Sequence, residues 1–291
     1  MRNTGLGLST SNSPKRSPFG GQSVDLCALA TTGHYKPLRS HTSKGPGRFT
    51  IITHRAWSDE YRIRTQVETT TGTLPPEQSG ERASDMLSMR GARAIGDSSH
   101  YMAVKKGGYT TFLTLTLDAG ARQRVASGET TVQKEISRFW DAAQKMYSRG
   151  WVNEMTGNKV EGKNDSLHYC WVVENPKNED GEDNPHAHIL MRWRVPYREF
   201  EGWAARLEQL WGQGFAHLEK IKEPEKAGAY MAKAAGYMTK AEGRTDQGTV
   251  RGNRYGISKP SRASEWLQVG RYELGIMGSL ITDTFDFFSF H

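Results

Sequence analysis

The 291-residue sequence predicts an α+β protein. The expected architecture is an antiparallel sheet of split βαβ (ferredoxin-like) topology, with helices on one face and a basic, disordered N-terminal arm. Three observations predict it. Short β-branched or alternating segments recur at 109–117, 167–174, 186–193 and 215–221, each of strand length. Segments with apolar residues at helical spacing lie between the first and second of these and between the third and fourth, so the order reads β-α-β-β-α-β. The second and third strands are joined by about ten acidic and turn-forming residues, a connection that suits antiparallel neighbours.

Residues 1–85 are rich in Ser, Thr, Gly and Pro. Up to Trp57 they carry eight Lys/Arg against one acid, Asp25. Such a composition buries too little apolar surface to offset the entropy of ordering, so an arm is expected, with Phe49-Thr50-Ile51-Ile52 as a stray strand. The folded domain is expected over 86–262 and a tail over 263–291. A basic helix begins near Met86, and Gly107-Gly108 separates it from the strand Tyr109-Thr110-Thr111-Phe112-Leu113-Thr114-Leu115-Thr116-Leu117. In that strand the leucines share one face, and Thr114 and Thr116 the other.

The next helix spans 131–149, opened by a capping box at Thr130 and Gln133 and closed by Gly150. Its stripe of Val132, Ile136, Phe139, Trp140, Ala143, Met146 and Tyr147 is core. Residues 151–165 read as a loop or short hairpin. Pro196 opens a helix carrying Tyr197, Phe200, Trp203, Ala204, Leu207, Leu210 and Trp211, which ends at Gly212 and Gly214. Pro224 opens a third helix that holds Tyr230-Met231-Ala232-Lys233 and Tyr237-Met238-Thr239-Lys240. The apolar stretch 280–290 is too short to span a bilayer, and an edge strand or docking tail is expected there.

The formal charge of +7 and the pI near 9.3 favour a polyanionic partner, nucleic acid before an anionic membrane surface. Cys27 and Cys170 are the only cysteines, which argues against a disulfide framework and a cysteine-built zinc site. The sequence shows neither a signal-peptide pattern nor a long apolar run. A soluble protein of the cytoplasm, with no membrane partner, is expected.

The chemistry centres on His186-Ala187-His188. On a strand the two imidazoles share a face. By the same periodicity His168, Cys170, Val172 and Glu174 share a face of the neighbouring strand. If these faces coincide, Glu174 completes a set of two imidazoles and one carboxylate suited to Mg²⁺ or Mn²⁺. His168 lies at the far end of its strand and is assigned a structural place. Seven residues separate the two Tyr-Met-x-Lys units, about two helical turns, so Tyr230, Tyr237 and the intervening Lys233 share a stripe. Tyr and Met at this spacing also suit a core; the duplicated unit favours a phenol whose ionisation a lysine or metal assists. Metal plus phenol on a basic protein points to phosphodiester chemistry.

In these residues the chain resembles the HUH endonucleases, and within them the rolling-circle replication initiators of single-stranded DNA phages, both filamentous and small icosahedral. Phe112-Leu113-Thr114-Leu115-Thr116-Leu117 is similar to the family's first motif. Glu174 with Pro185-His186-Ala187-His188-Ile189-Leu190 is similar to the second, and the paired Tyr-Met-x-Lys units to the third. Gly252-Asn253-Arg254-Tyr255-Gly256-Ile257-Ser258 resembles a segment found further downstream. The likeness implies a divalent metal on His186, His188 and Glu174, and catalysis by Tyr230, Tyr237 and Lys233. It also implies DNA contacts from Lys240 and Arg254, a single-stranded or supercoiled origin as substrate, and a host helicase and polymerase as partners in a bacterial cell.

Two departures stand out: Ala234-Ala235-Gly236 sets the tyrosines further apart than in the phage initiators, and a long loop separates Glu174 from His186. The alternatives within this chemistry are a plasmid initiator, a mobilisation relaxase or a transposase. Outside it stand a non-catalytic nucleic-acid-binding module and a histidine-triad hydrolase, which would need another alternating histidine where Leu190 stands.

Overall fold

In the computed structural model, residues 48–67, 82–228 and 248–273 are described. In chain order the strands are β1 (Arg48–Arg55), β2 (Glu60–Val67) and β3 (Ala83–Ser84), followed by helix α1 (Met89–Lys106) and strand β4 (Thr111–Thr116). Helices α2 (Ala119–Ser127) and α3 (Val132–Arg149) lead to the hairpin of β5 (Gly150–Val152) and β6 (Lys159–Glu161). Strands β7 (Tyr169–Glu174) and β8 (His186–Met191), helix α4 (Phe200–Trp211) and strand β9 (Ala216–Lys220) follow. The described part closes with β10 (Val250–Arg251), β11 (Tyr255–Ile257) and β12 (Leu267–Glu273).

The central sheet has the order β11-β7-β8-β4-β9, with every neighbouring pair antiparallel. Strand β8 is inserted between β7 and β4. With β9 on the outside of β4, this is the split βαβ order expected from the sequence, and β11 adds one strand at the β7 edge. The α+β class holds.

Helices α3 and α4 pack on one face of the sheet. Leu113, Leu115, Ala187, Ile189, Met191, Trp171 and Val173 point there and meet Ile136, Phe139, Trp140, Trp203 and Leu207. Leu113, Leu115, Ile136, Ile189 and Leu207 are fully buried, each contributing roughly 2 kcal/mol through the area removed from water. Trp211 donates from Nε1 to the Thr116 carbonyl at 2.9 Å, fastening α4 to the end of β4.

The expectation that helices occupy one face only is corrected. Helix α1 lies against the opposite face, where Ile95 and Met102 pack with Cys170, Val172 and Leu190. It begins at Met89 with Ser88 as N-cap and runs on through Gly96 to Lys106. The two faces are read by parity: odd-numbered residues of β4, β7 and β8 face α3 and α4, and even-numbered residues face α1 or solvent.

Other local expectations shift. The cap of α3 is Thr131, which accepts from the Lys134 amide, while Thr130 donates to Glu135. Gln133 accepts instead from the Asn253 amide. Tyr197, expected in the apolar stripe of α4, is 96% exposed in a 3-10 turn before that helix. The short helix α2, capped by Asp118, had no strong apolar period to reveal it.

The chain divides into two compact units. Among the described residues the smaller holds 48–52, 63–67 and 268–273, and the larger holds 53–62, 82–228 and 248–267. Strands β12, β1 and β2 form a three-stranded sheet in that order. The expected arm is thereby corrected over 48–67, and the expected tail over 267–273. The alternation Tyr61-Arg62-Ile63-Arg64 is a strand signal that the surrounding polar composition hides. The rest of the arm and the stretch 280–290 lie outside the described residues.

A buried polar knot joins the β5–β6 hairpin to α4. Asn153, with no exposure, donates to Glu199 at 2.7 Å and accepts from the Met155 amide at 3.0 Å. Asn158 donates to the other Glu199 oxygen at 2.9 Å. Hydrogen bonds from Asn153 and Asn158 hold the Glu199 carboxyl below its ordinary range. Gly202 lets the first turn of α4 rest on this knot, since a Cβ there would stand 2.0 Å from Asn153 Oδ1. Gly202→Ala should therefore cost about 1–3 kcal/mol. Gly96→Ala, in α1 with nothing within 4 Å of its Cβ, should gain roughly 0.5–1 kcal/mol. Urea unfolding checks both, and equal stabilities for the two variants would contradict this packing.

Candidate metal centre

Antiparallel pairing sets the site. In the β7–β8 register Glu174 stands opposite His186 and Val172 opposite His188. In the β4–β8 register Thr116 stands opposite His186 and Thr114 opposite His188. Directly paired residues project to one side of the sheet, so both histidines and Glu174 emerge together on the face away from α3. They occupy the end that α1 leaves uncovered.

The three ligating atoms lie within 4.8 Å of one another. Glu174 Oε2 is 3.4 Å from His186 Nε2 and 3.5 Å from His188 Nε2. Among the described residues this is the one cluster of three His, Cys, Asp or Glu side chains with such convergence. Each side chain is about one-fifth exposed, enough for a ligand to reach the nitrogens and little enough to keep the rings fixed.

Neighbours fix the rings further. His186 Nδ1 is 3.1 Å from the Asn184 carbonyl. A carbonyl only accepts, so Nδ1 carries the proton and the neutral ring turns the Nε2 lone pair toward Glu174. His188 Nδ1 lies 3.2 Å from Thr114 Oγ1, and its ring stacks on Phe112 with centroids 5.5 Å apart. The rings of His186 and His188 meet edge to face at 4.9 Å.

The electrostatics follow from this crowding. Burial alone would raise the Glu174 carboxyl, but the hydrogen bonds and positive charge of His186 and His188 hold it down at about 2. Burial would likewise lower His186, yet the hydrogen bond to Glu174 raises it above its ordinary 6.5. Two nitrogen lone pairs and one ionised oxygen on a common centre form a donor set that fits one divalent cation, with positions left for other oxygens.

The remaining predicted residues fall elsewhere. Tyr230, Lys233, Tyr237 and Lys240 lie outside the described residues. Arg254 is 4% exposed; its guanidinium donates to the carbonyls of Ser84 at 2.7 Å and Gly248 at 2.6 Å, and its own carbonyl accepts from the Val173 amide. It ties the segment after β10 to β3 and β7, which gives it a place inside the fold in addition to any expected DNA contact. His168 is buried at the far end of the sheet beside Ser261, and burial lowers its pKa; its structural assignment agrees with that position.

Sequence reasoning missed the supporting partners. Period two places Thr114 on its face, but its pairing with His188 depends on a register the sequence does not print. Asn184 reads only as part of a turn, although its carbonyl selects the His186 tautomer.

Residues 110–242 match a family of replication-associated proteins, the ORF2 type. No curated protein and no solved structure gives a significant match. The matched segment contains β4, β7, β8 and the whole Glu174–His186–His188 cluster, and the similarity supports a part in the initiation of replication. Among the described residues no helix is long and apolar enough to cross a membrane.

In metal-free protein, Glu174→Gln should lower the His186 pKa, because burial is then opposed by the Asn184 carbonyl alone. The sign for stability is set by both partners. The raised His186 stabilises the fold below its ordinary 6.5, and this is lost as pH rises through its folded value. The depressed Glu174 stabilises above its ordinary 4.5, and this is lost as pH falls through about 2. The stability difference between wild type and Glu174→Gln should thus be largest between pH 4.5 and 6.5. NMR titration of the imidazoles and urea unfolding across pH measure it; an unmoved His186 titration would refute the coupling.

Proposed function

We propose that the protein initiates rolling-circle replication by nicking and rejoining single-stranded DNA at an origin, using a tyrosine nucleophile beside a divalent metal. The observation that carries this reading is the convergence of Glu174, His186 and His188 on one sheet face, inside the segment that matches a replication-associated family. The basic balance of the chain supports a polyanionic substrate.

His186 and His188 through Nε2, and Glu174 through a carboxylate oxygen, would hold Mg²⁺ or Mn²⁺. When bound, the ion supplies Lewis-acid stabilisation of charge on a scissile phosphate. The residues around it do the positioning. Asn184 and Thr114 keep the rings aimed, while Phe112 closes the apolar side of His188.

Tyr230 or Tyr237 serves as nucleophile, with Lys233 favouring the phenolate. The phenolic oxygen, having lost its proton, attacks phosphorus. The bond from phosphorus to the 3′ oxygen breaks, that oxygen takes up a proton, and the 5′ phosphate stays esterified to tyrosine. Attack by a 3′-hydroxyl on this ester reverses the step and reseals a strand without a nucleotide cofactor. Two tyrosines in one duplicated unit allow two successive transfers, which favours replication over a single-nick relaxase or transposase.

Purified protein with a labelled origin-bearing single strand and Mn²⁺ should form an SDS-resistant adduct that EDTA prevents. The His186→Ala, His188→Ala double variant should lose it. Thr114→Val should weaken Mn²⁺ affinity by about 10-fold or more, as loss of a ligand's hydrogen-bond partner does. Tyr230→Phe and Tyr237→Phe assign the nucleophile. Adduct that survives in the double tyrosine variant would sink the mechanism.

A further inference from the structure

Along the β11 edge of the central sheet, within the larger unit, lies a groove of about 870 Å³. Its floor includes Tyr255 and Ile257, which pair with Val172 and Cys170 of β7. By that pairing their side chains emerge on the sheet face that carries Glu174 and the two histidines. The groove therefore begins beside the metal-binding end of the face and runs away from it along the edge.

Its charge is one-sided. Arg55 grips Asp97 through two 2.9 Å bonds, so that pair is neutral. The other charged lining residues are Arg82, Arg90 and Arg262 against the single acid Glu265. All three arginines are exposed, and none has an acid within ion-pair distance among the described residues. They come from three separate places: the residue before β3, the first turn of α1, and the segment after β11.

The first turn of α1 also carries no acidic residue. A helix N-terminus is the positive end of the macrodipole, and a cation there opposes it. Placing Arg90 at that end costs stability unless an anion comes to it. Aromatic surface completes the lining: Tyr255 is half-buried, and the Trp266 ring has the guanidinium carbons of Arg55 and Arg62 at 4.2 and 4.1 Å. Fixed cations beside aromatic rings are what a single-stranded polynucleotide uses for its phosphates and bases.

We propose that this groove holds the DNA single strand as it continues beyond the Glu174–His186–His188 cluster, its phosphates resting on Arg82, Arg90 and Arg262. This deepens the nicking reading and rests on it for the choice of polynucleotide. The register gives a length. Val172 and Cys170 lie two and four residues from Glu174, roughly 7 and 13 Å at strand rise. With stacked nucleotides about 3.4 Å apart along one strand, the groove engages the strand some two to four nucleotides from the cluster.

The test is anisotropy of the full chain with a short labelled single strand of non-origin sequence, in EDTA and over a range of salt. The triple variant Arg82→Gln, Arg90→Gln, Arg262→Gln should bind about 10-fold or more weakly at low salt. Its log–log salt slope should be shallower by about 2, since three phosphates contribute about 0.7 each. The corresponding triple Lys variant should keep the wild-type slope. If the Gln triple does not fold, each single Gln variant should lower the slope by about 0.7.

An unchanged slope in the Gln variants would overturn the proposal, as would an equal loss in the Lys variant. A larger effect on duplex than on single strand would overturn the single-strand assignment. The adduct assay separates the two readings. Wild-type nicking with unaltered slopes removes the groove alone, whereas altered slopes without any adduct remove the nicking chemistry and leave a single-strand-binding groove.

Discussion

The site depends on one constraint, the register of β8 between β4 and β7. Because side chains alternate along a strand, a slip of one residue would turn His186 and His188 into the layer beneath α3 and expose Ala187, Ile189 and Met191. What prevents the slip is the hydrophobic face. Ile189, Met191, Leu113, Leu115 and Val173 are all essentially without exposure, and turning any of them to solvent loses on the order of 2 kcal/mol. The hydrogen bonds of the histidines are individually worth about 1 kcal/mol. Apolar burial therefore places the imidazoles, and Asn184 and Thr114 only aim them.

That placement creates an electrostatic demand. Glu174 is largely withdrawn from water and remains ionised, held so by two imidazoles within 3.5 Å. A carboxylate in such a position is satisfied by positive charge close at hand, either a proton on one ring or a cation replacing it. His186 meets the first option through its raised pKa. The same geometry suits the second, because the tautomer selected by Asn184 leaves Nε2 facing the carboxylate. Proton and cation thus compete for one location.

Much of this was legible in the sequence, for definable reasons. Strands β4, β7 and β8 and helix α3 announced themselves through period, and the order of elements gave the split topology. Period two alone put Glu174, His186 and His188 on shared faces, and a short connection made β7 and β8 neighbours. What stayed hidden required knowledge of distant partners. Arg254 looked like a free cation because nothing local shows that the carbonyls of Ser84 and Gly248 await it. Helix α1 continued past Gly96 because Met102, beyond that glycine, buries its side chain against the sheet. Strand β2 escaped notice because Arg62 and Arg64 dilute its apolar alternation, and β12 because it lies beyond the expected end of the domain.

The placement of α1 also explains why one sheet face carries two unlike surfaces. Near its α1 end the face is apolar, built from Cys170, Leu190 and their neighbours under Ile95 and Met102. At the other end it is polar, with Glu174, His186 and His188 open to ligand. Phe112 belongs to both, packing toward the α1 cluster while stacking on His188. A helix covering the whole face would have buried the carboxylate without a partner, at a cost of several kcal/mol. A face left wholly open would have exposed Leu190 and Val172, both fully buried now. Partial cover meets both requirements, and it brings the positive N-terminal turn of α1 to the sheet edge, where Arg90 and Tyr255 line the same groove. The helix that completes the core thereby also shapes the electrostatic approach to the site.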